Sequence, residues 1–176
     1  FLRLANLTEN LQKATASAER VFELLDTPSN IVDPPAPLTP PTSRRDIEFV
    51  DVTFGYGPEE SVLQEVSFHI EDGETVALVG ITGVGKSTAC HLILRMFDVT
   101  AGAVRISGVD VRQLSLQWLR EHVGLVSQDV FLFSGTIKEN ILFGRPGATD
   151  YAIEQAARAV GAHNFIMRLE NGYDSF

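Results

Sequence analysis

The stretch that most restricts what this chain can become is Gly80-Ile81-Thr82-Gly83-Val84-Gly85-Lys86-Ser87-Thr88. It follows Thr75-Val76-Ala77-Leu78-Val79, a continuous apolar run of strand length whose pattern predicts a strand buried on both faces. A helix is expected to start at Lys86 and run to about Phe97. The spacing G-x-x-x-x-G-K-[ST], set between strand and helix, is that of a phosphate-binding P-loop. Gly80, Gly83 and Gly85 let the backbone turn and come close to a polyphosphate. Amides from about Gly83 to Thr88, Val84 among them, then face phosphate oxygens, helped by the positive end of the helix. Lys86 adds a point charge toward the outer phosphates, and Ser87 offers its hydroxyl to Mg²⁺. The competing reading is a glycine turn with an incidental Lys-Ser, and it does not explain why strand and helix signals flank the loop. The residues read as a nucleoside triphosphate site.

Around this loop the chain falls into three sections. From Phe1 to Leu25, apolar or small residues stand at Leu4, Leu7, Leu11, Ala14, Ala18, Val21 and Leu25, the stripe of a long helix. It is expected to arrive from an upstream domain; the alternative is an amphipathic helix packed on its own domain. Thr27 to Ser43 holds six of the eight prolines, which forbids helix and favours an extended linker. From about Asp46 strand and helix signals alternate, so the class is α/β. Ile47–Phe54, Val66–Ile70, Val104–Ile106 and Val123–Val126 read as strands, and Leu114–Glu121 and Asp150–Val160 as helices. Thr149 or Asp150 is a candidate N-cap for the last of these.

Composition removes several classes. Among 176 residues, 44% are apolar and 21% charged, which is globular, and the formal charge is −9. No basic run exceeds Arg44-Arg45, so binding to a nucleic-acid backbone is not expected. The acidic balance does not oppose an anionic ligand, because amides, Lys86 and Mg²⁺ neutralise it locally and charges beyond ~10 Å are screened. Cys90 is the single cysteine, which excludes an internal disulfide and suggests a small buried residue. His69, His91, His122 and His163 lack metal-ligand spacing. No run of eighteen apolar residues appears, and Arg3, Glu9 and Lys13 interrupt what a secretory leader would keep apolar. The chain opens on Phe1 and is expected to be a piece of a longer polypeptide.

Further motifs stand on both sides of the loop. Ile47-Glu48-Phe49-x-x-Val52-x-Phe54-x-Tyr56 and Val62-Leu63-x-x-Val66-Ser67-Phe68-x-Ile70-x-x-Gly73-Glu74 precede it. Gly102-x-Val104-x-Ile106-x-Gly108-x-Asp110, Leu119-Arg120, Val123-Gly124-Leu125-Val126-Ser127-Gln128-Asp129 and Phe131-Leu132-Phe133-Ser134-Gly135-Thr136-Ile137-Lys138-Glu139-Asn140-Ile141 follow. In this order they resemble the first part of the nucleotide-binding domain of an ATP-binding cassette (ABC) transporter of the exporter type. Phe1–Asp26, with Ala18-x-Arg20-Val21-Phe22-x-Leu24-Leu25-Asp26, is similar to the cytoplasmic extension of the last membrane helix in such exporters. The resemblance thus implies residues 1–26 as helical extension, 27–45 as linker and 46–176 as the N-terminal part of the cassette, with its β-rich ATP-binding subdomain and the start of its helical one.

The resemblance implies ATP and Mg²⁺ as ligands, with Tyr56 stacking on adenine. It places Gln128 at the Q-loop, where the amide meets Mg²⁺ and the attacking water and senses the membrane domain; Lys86 and Gln128 are then the catalytic candidates, and Ser87 and Gln128 the metal ligands. Phe131–Phe133 falls where the coupling helices of the membrane domain dock. A second nucleotide-binding domain, identical or not, is the other implied partner, on the cytoplasmic face of a plasma or inner membrane. Nothing in these residues specifies a transported substrate, which the family binds among its membrane helices.

Departures from the family pattern also matter. Ile81 and Val84 stand where the family has Pro or Ser, and Ser or Ala; the amides are unaffected. There is no Leu-Ser-Gly-Gly-Gln signature, no apolar strand ending in Asp-Glu and no switch histidine behind one. By themselves these residues are expected to bind ATP without hydrolysing it at a useful rate. Since the family completes its central sheet with strands from the other half, exposed apolar edges are expected, and with them either self-association or pairing with a separate C-terminal piece. The alternatives are a soluble P-loop kinase, a GTPase, which would need an absent Asn-Lys-x-Asp, and a non-catalytic nucleotide-binding module.

Overall fold

A computed structural model describes residues 2–41, 44–57 and 61–176, with side chains from Gln12 onward. Phe1, the side chains of Leu4, Leu7 and Leu11, and Thr42 and Ser43 of the linker lie outside the described residues. The described chain divides into two compact units, Phe1–Gly124 and Leu125–Phe176.

In the first unit α1 spans Leu2–Asp26. Residues 12–26 are all exposed, Val21, Phe22, Leu24 and Leu25 among them. The described residues of the proline-rich segment form no helix. Leu38 bridges Leu114 in parallel and its N–H donates to the Gln113 carbonyl at 2.8 Å. The segment is fastened to the sheet where Ser107 donates from its N–H to Asp46 O (2.9 Å) and from its hydroxyl to Arg44 O.

Four antiparallel strands form the sheet, in the order β2-β1-β3-β4. They are β1 (Ile47–Phe54), β2 (Leu63–Ile70), β3 (Ala101–Ile106) and β4 (Val109–Asp110). Phe49, Val52 and Phe54 of β1 are all buried although they are not evenly spaced by two. A bulge at Asp51, φ +46°, shifts the register against both neighbouring strands and moves the apolar set back onto the core face. Ser67 supports the bulge, accepting from the Asp51 N–H and donating to its carboxylate, both at 2.8 Å. Gly102 of β3 lies under it, where a Cβ would stand 2.3 Å from the carbonyl oxygens of Val50 and Asp51.

Against this sheet pack Ala89 and Leu92 of α2 (Lys86–Ile93) and Leu119 of α3 (Leu116–His122). Phe49 stacks on Phe68 across β1 and β2, with centroids 4.3 Å apart. Several elements differ from expectation in their bounds: β2 and β3 each begin three residues earlier than expected, and the helix from Asp150 ends one residue earlier, at Ala159. Helix α2 ends at Ile93 because Arg95 takes a left-handed φ of +50°. Helix α3 begins two residues later than expected because the Ser115 hydroxyl caps it, accepting from the Trp118 N–H.

Two expected strands are not strands. Thr75–Val79 and Val123–Val126 have no ladder partner among the described residues, and Val79 and Val126 are 93% and 98% exposed. A strand is defined by pairing, and an apolar run without a neighbour stays an extended, solvated segment.

The second unit holds α4 (Ile137–Phe143), α5 (Asp150–Ala159) and α6 (His163–Ile166). Thr149 is the N-cap of α5, accepting from the Ala152 N–H, and Ile153, Ala157 and Ile166 are buried.

Candidate nucleotide site

The first unit carries the loop. Gly83 and Gly85 have φ of +85° and +95°, the left-handed region that glycine enters freely. Gly85 is also buried, and a Cβ there would stand 2.7 Å from Leu63 Cδ2, so β2 fills the space beneath it. Gly80 faces Val84, whose Cγ1 would lie 2.9 Å from an added Cβ. Gly85 is the N-cap of α2 and supplies no side-chain cap. The first amides of α2, from Lys86, Ser87 and Thr88, therefore start the helix free of any side-chain acceptor, the arrangement that suits an anion.

Lys86 crosses the loop. Its ammonium donates to the Gly80 carbonyl at 2.9 Å and the Ile81 carbonyl at 2.7 Å. Two of its three N–H groups are engaged, so one remains for a phosphate oxygen. Ser87 is exposed on the first turn of α2, whereas Thr88 is buried. The Thr88 hydroxyl pairs with the Tyr56 hydroxyl at 3.0 Å, a contact between residues 32 positions apart. Tyr56 stands edge-on to Phe54 (5.1 Å) and Phe97 (5.2 Å) and is 53% exposed. The structure thus joins Tyr56 to the end of the loop, at Thr88.

Gln128 belongs to the second unit, exposed on a bend that Ser127 fixes by donating to the Asp129 carbonyl at 2.7 Å. Phe131 and Phe133 stand edge-on at 5.1 Å, and Phe133 lies 4.0 Å from Phe143. Leu132, Phe133, Ile137, Ile141, Phe165 and Phe176 line an apolar groove of about 740 Å³ beside them. The Asn140 side chain shapes this loop, accepting from Phe133 N–H (2.8 Å) and donating to the carbonyls of Phe133 and Thr136 (both 3.0 Å). Helix α4 opens with a reciprocal cap: the Thr136 hydroxyl accepts from the Glu139 N–H, and the Glu139 carboxylate accepts from the Thr136 N–H. That backbone N–H first, and the Thr136 hydroxyl second, hold Glu139 below its ordinary 4.5.

Sequence reasoning missed the part of Asn140 and the Thr88–Tyr56 link, which only three-dimensional proximity reveals. Cys90 was expected to be buried and is exposed, because it stands on the face of α2 opposite Ala89 and Leu92.

A family model described as ABC transporter matches residues 63–173, from β2 through the loop to the end of the second unit. The chain belongs to the ABC transporter family. It is 48% identical over 172 residues to a multidrug efflux ATP-binding/permease protein of Mycobacterium tuberculosis, an alignment covering 98% of this chain and 14% of that protein. It is 43% identical over 173 residues to a fatty acid ABC transporter ATP-binding/permease protein of Mycobacterium bovis, covering 98% and 27%. A solved bacterial Atm1-family ABC exporter with ATP bound superposes with a TM-score of 0.83 at 36% identity, covering 93% of this chain and 29% of that one. The chain thus spans only 14–30% of the length of the curated ABC transporter relatives it matches.

Proposed function

We propose that this chain is the ATP-binding portion of an ABC exporter, in which ATP binding and hydrolysis drive a substrate across a membrane. The observation that carries the reading is the loop itself: left-handed Gly83 and Gly85, an α2 start without a side-chain cap, and the Lys86 ammonium held across it. In this reading the amides of Gly83 to Thr88 and Lys86 hold the phosphates, and Tyr56 meets the adenine. Mg²⁺ would be held by the Ser87 hydroxyl and the Gln128 amide, hard oxygen donors suited to that ion, and would supply neutralisation of the phosphate charge. Residues 1–26 extend a membrane helix, 27–45 link it, and 46–176 begin the cassette. The apolar groove and the Phe131–Phe133 loop receive coupling helices of the membrane domain, and a second nucleotide-binding domain completes the catalytic unit at the cytoplasmic face. These 176 residues contain neither the carboxylate strand nor the signature segment, so by themselves they bind without turnover.

Calorimetry of the full chain with Mg²⁺ and ATP tests this. Lys86→Ala removes a charged donor to phosphate worth ~1.5–3 kcal/mol and should weaken binding about 10- to 150-fold. No heat from the folded wild-type chain, or equal binding by the variant, would overturn the reading.

A further inference from the structure

Tyr56 has little in its own backbone to orient it. Glycines 55 and 57 flank it, and just over half of its surface is open. Its ring is nevertheless held from three sides: the edge of Phe54, the edge of Phe97 and the hydroxyl of Thr88. Phe54 is fixed by its place in β1, and Thr88 by α2. Phe97 is fixed by neither, so what places it matters.

Phe97 lies beyond the end of α2, in a turn that closes on itself. Arg95 adopts a left-handed φ of +50° and is 7% exposed. Its guanidinium pairs with Asp98, with Nε to Oδ1 at 2.9 Å and Nη2 to Oδ2 at 3.4 Å. The Arg95 and Met96 N–H groups donate back to Leu92 and His91 carbonyls, both at 3.0 Å. A turn clamped by backbone bonds and an ion pair whose arginine is buried constrains the chain at Phe97, and its ring lands 5.6 Å from Phe54 and 5.2 Å from Tyr56. The interplanar angle with Tyr56 is 87°, the edge-on geometry favoured by the ring quadrupoles.

We propose that Phe97 is a positioning residue for base recognition: with Phe54 and the Thr88 hydroxyl it fixes the plane of Tyr56, so that the ring presents a preset face to the nucleobase. The inference rests on the proposed nucleotide site. Stacking is worth most when the aromatic partner is ordered beforehand, because the ring then loses no rotational freedom on binding. Phe97 touches Tyr56 and is assigned no phosphate contact, so its contribution belongs to the base half of the ligand alone.

The test compares Mg²⁺–ATP with Mg²⁺–tripolyphosphate, which has the phosphates and no base, by calorimetry on the full chain. Phe97→Leu keeps an apolar side chain and removes the ring. It should weaken ATP about 2- to 10-fold and leave tripolyphosphate unchanged. Phe97→Tyr should restore ATP binding, and in a Tyr56→Ala background Phe97→Leu should have no further effect. Tyr56→Phe, which keeps the ring and cuts only the link to Thr88, should show a smaller loss of the same base-dependent kind. Equal weakening of both ligands, or a Phe97→Leu loss that persists without Tyr56, overturns the inference. Unaltered ATP binding by Phe97→Leu overturns it as well while leaving the nucleotide site standing. A wild-type chain that binds neither ligand instead overturns the site itself.

Discussion

Three glycines take the same left-handed conformation for different reasons, and the cost of adding one methyl separates them. At Gly83, φ +85°, nothing lies within 4 Å of an added Cβ, so alanine there suffers only the backbone strain. At Gly85, φ +95°, the methyl would also meet Leu63 Cδ2 at 2.7 Å, the end of a side chain that can turn aside in part. At Gly102, φ +78°, it would meet two backbone carbonyl oxygens at 2.3 Å, which cannot move without breaking the β1 bulge. Left-handed alanine costs ~1–3 kcal/mol by itself. Denaturant unfolding should therefore rank the losses Gly102→Ala, then Gly85→Ala, then Gly83→Ala, and the reverse order would contradict this packing. The sequence places Gly83 and Gly85 in a spacing that reads as a phosphate loop. It could not show that Gly102 lies beneath a bulge, because the bulge is formed by a strand about fifty residues earlier.

Among the elements, β1 was legible from end to end, since Ile47–Phe54 is both β-rich and closed by Gly55. Helix α4 was legible only as a motif, and its start is decided by the Thr136–Glu139 cap. Thr136→Ala should cost about 1 kcal/mol, read as a lowered midpoint for the second unit in circular dichroism. The same cap sets a pH response. Glu139 is held below its ordinary 4.5 in the folded state, so its contribution is complete above that value and is lost as pH falls through the folded one. A carboxyl NMR titration should find the Glu139 midpoint below 4.5 in the wild type and moved only part of the way back in Thr136→Ala, which loses the hydroxyl and keeps the backbone N–H. No difference between the two would remove the hydroxyl as a cause.

At the scale of the molecule, the unpaired apolar segments dominate. Val79 is 93% exposed in the first unit and Val126 98% in the second, both in segments with no ladder partner among the described residues. Such edges join other chains. Sedimentation over a tenfold concentration range should show the average mass rising, and a constant monomer mass would contradict the prediction. What the sequence determined by itself was the glycine pattern of Gly80–Thr88 and the absence of helix through the described prolines of Thr27–Ser43, because glycine freedom and proline stiffness are set by neighbours in the chain. What tertiary structure decided was whether apolar runs become strands and where Tyr56 points. Both depend on partners distant in sequence: a ladder neighbour that Thr75–Val79 lacks among the described residues, and the Thr88 and Phe97 side chains that hold one ring in place.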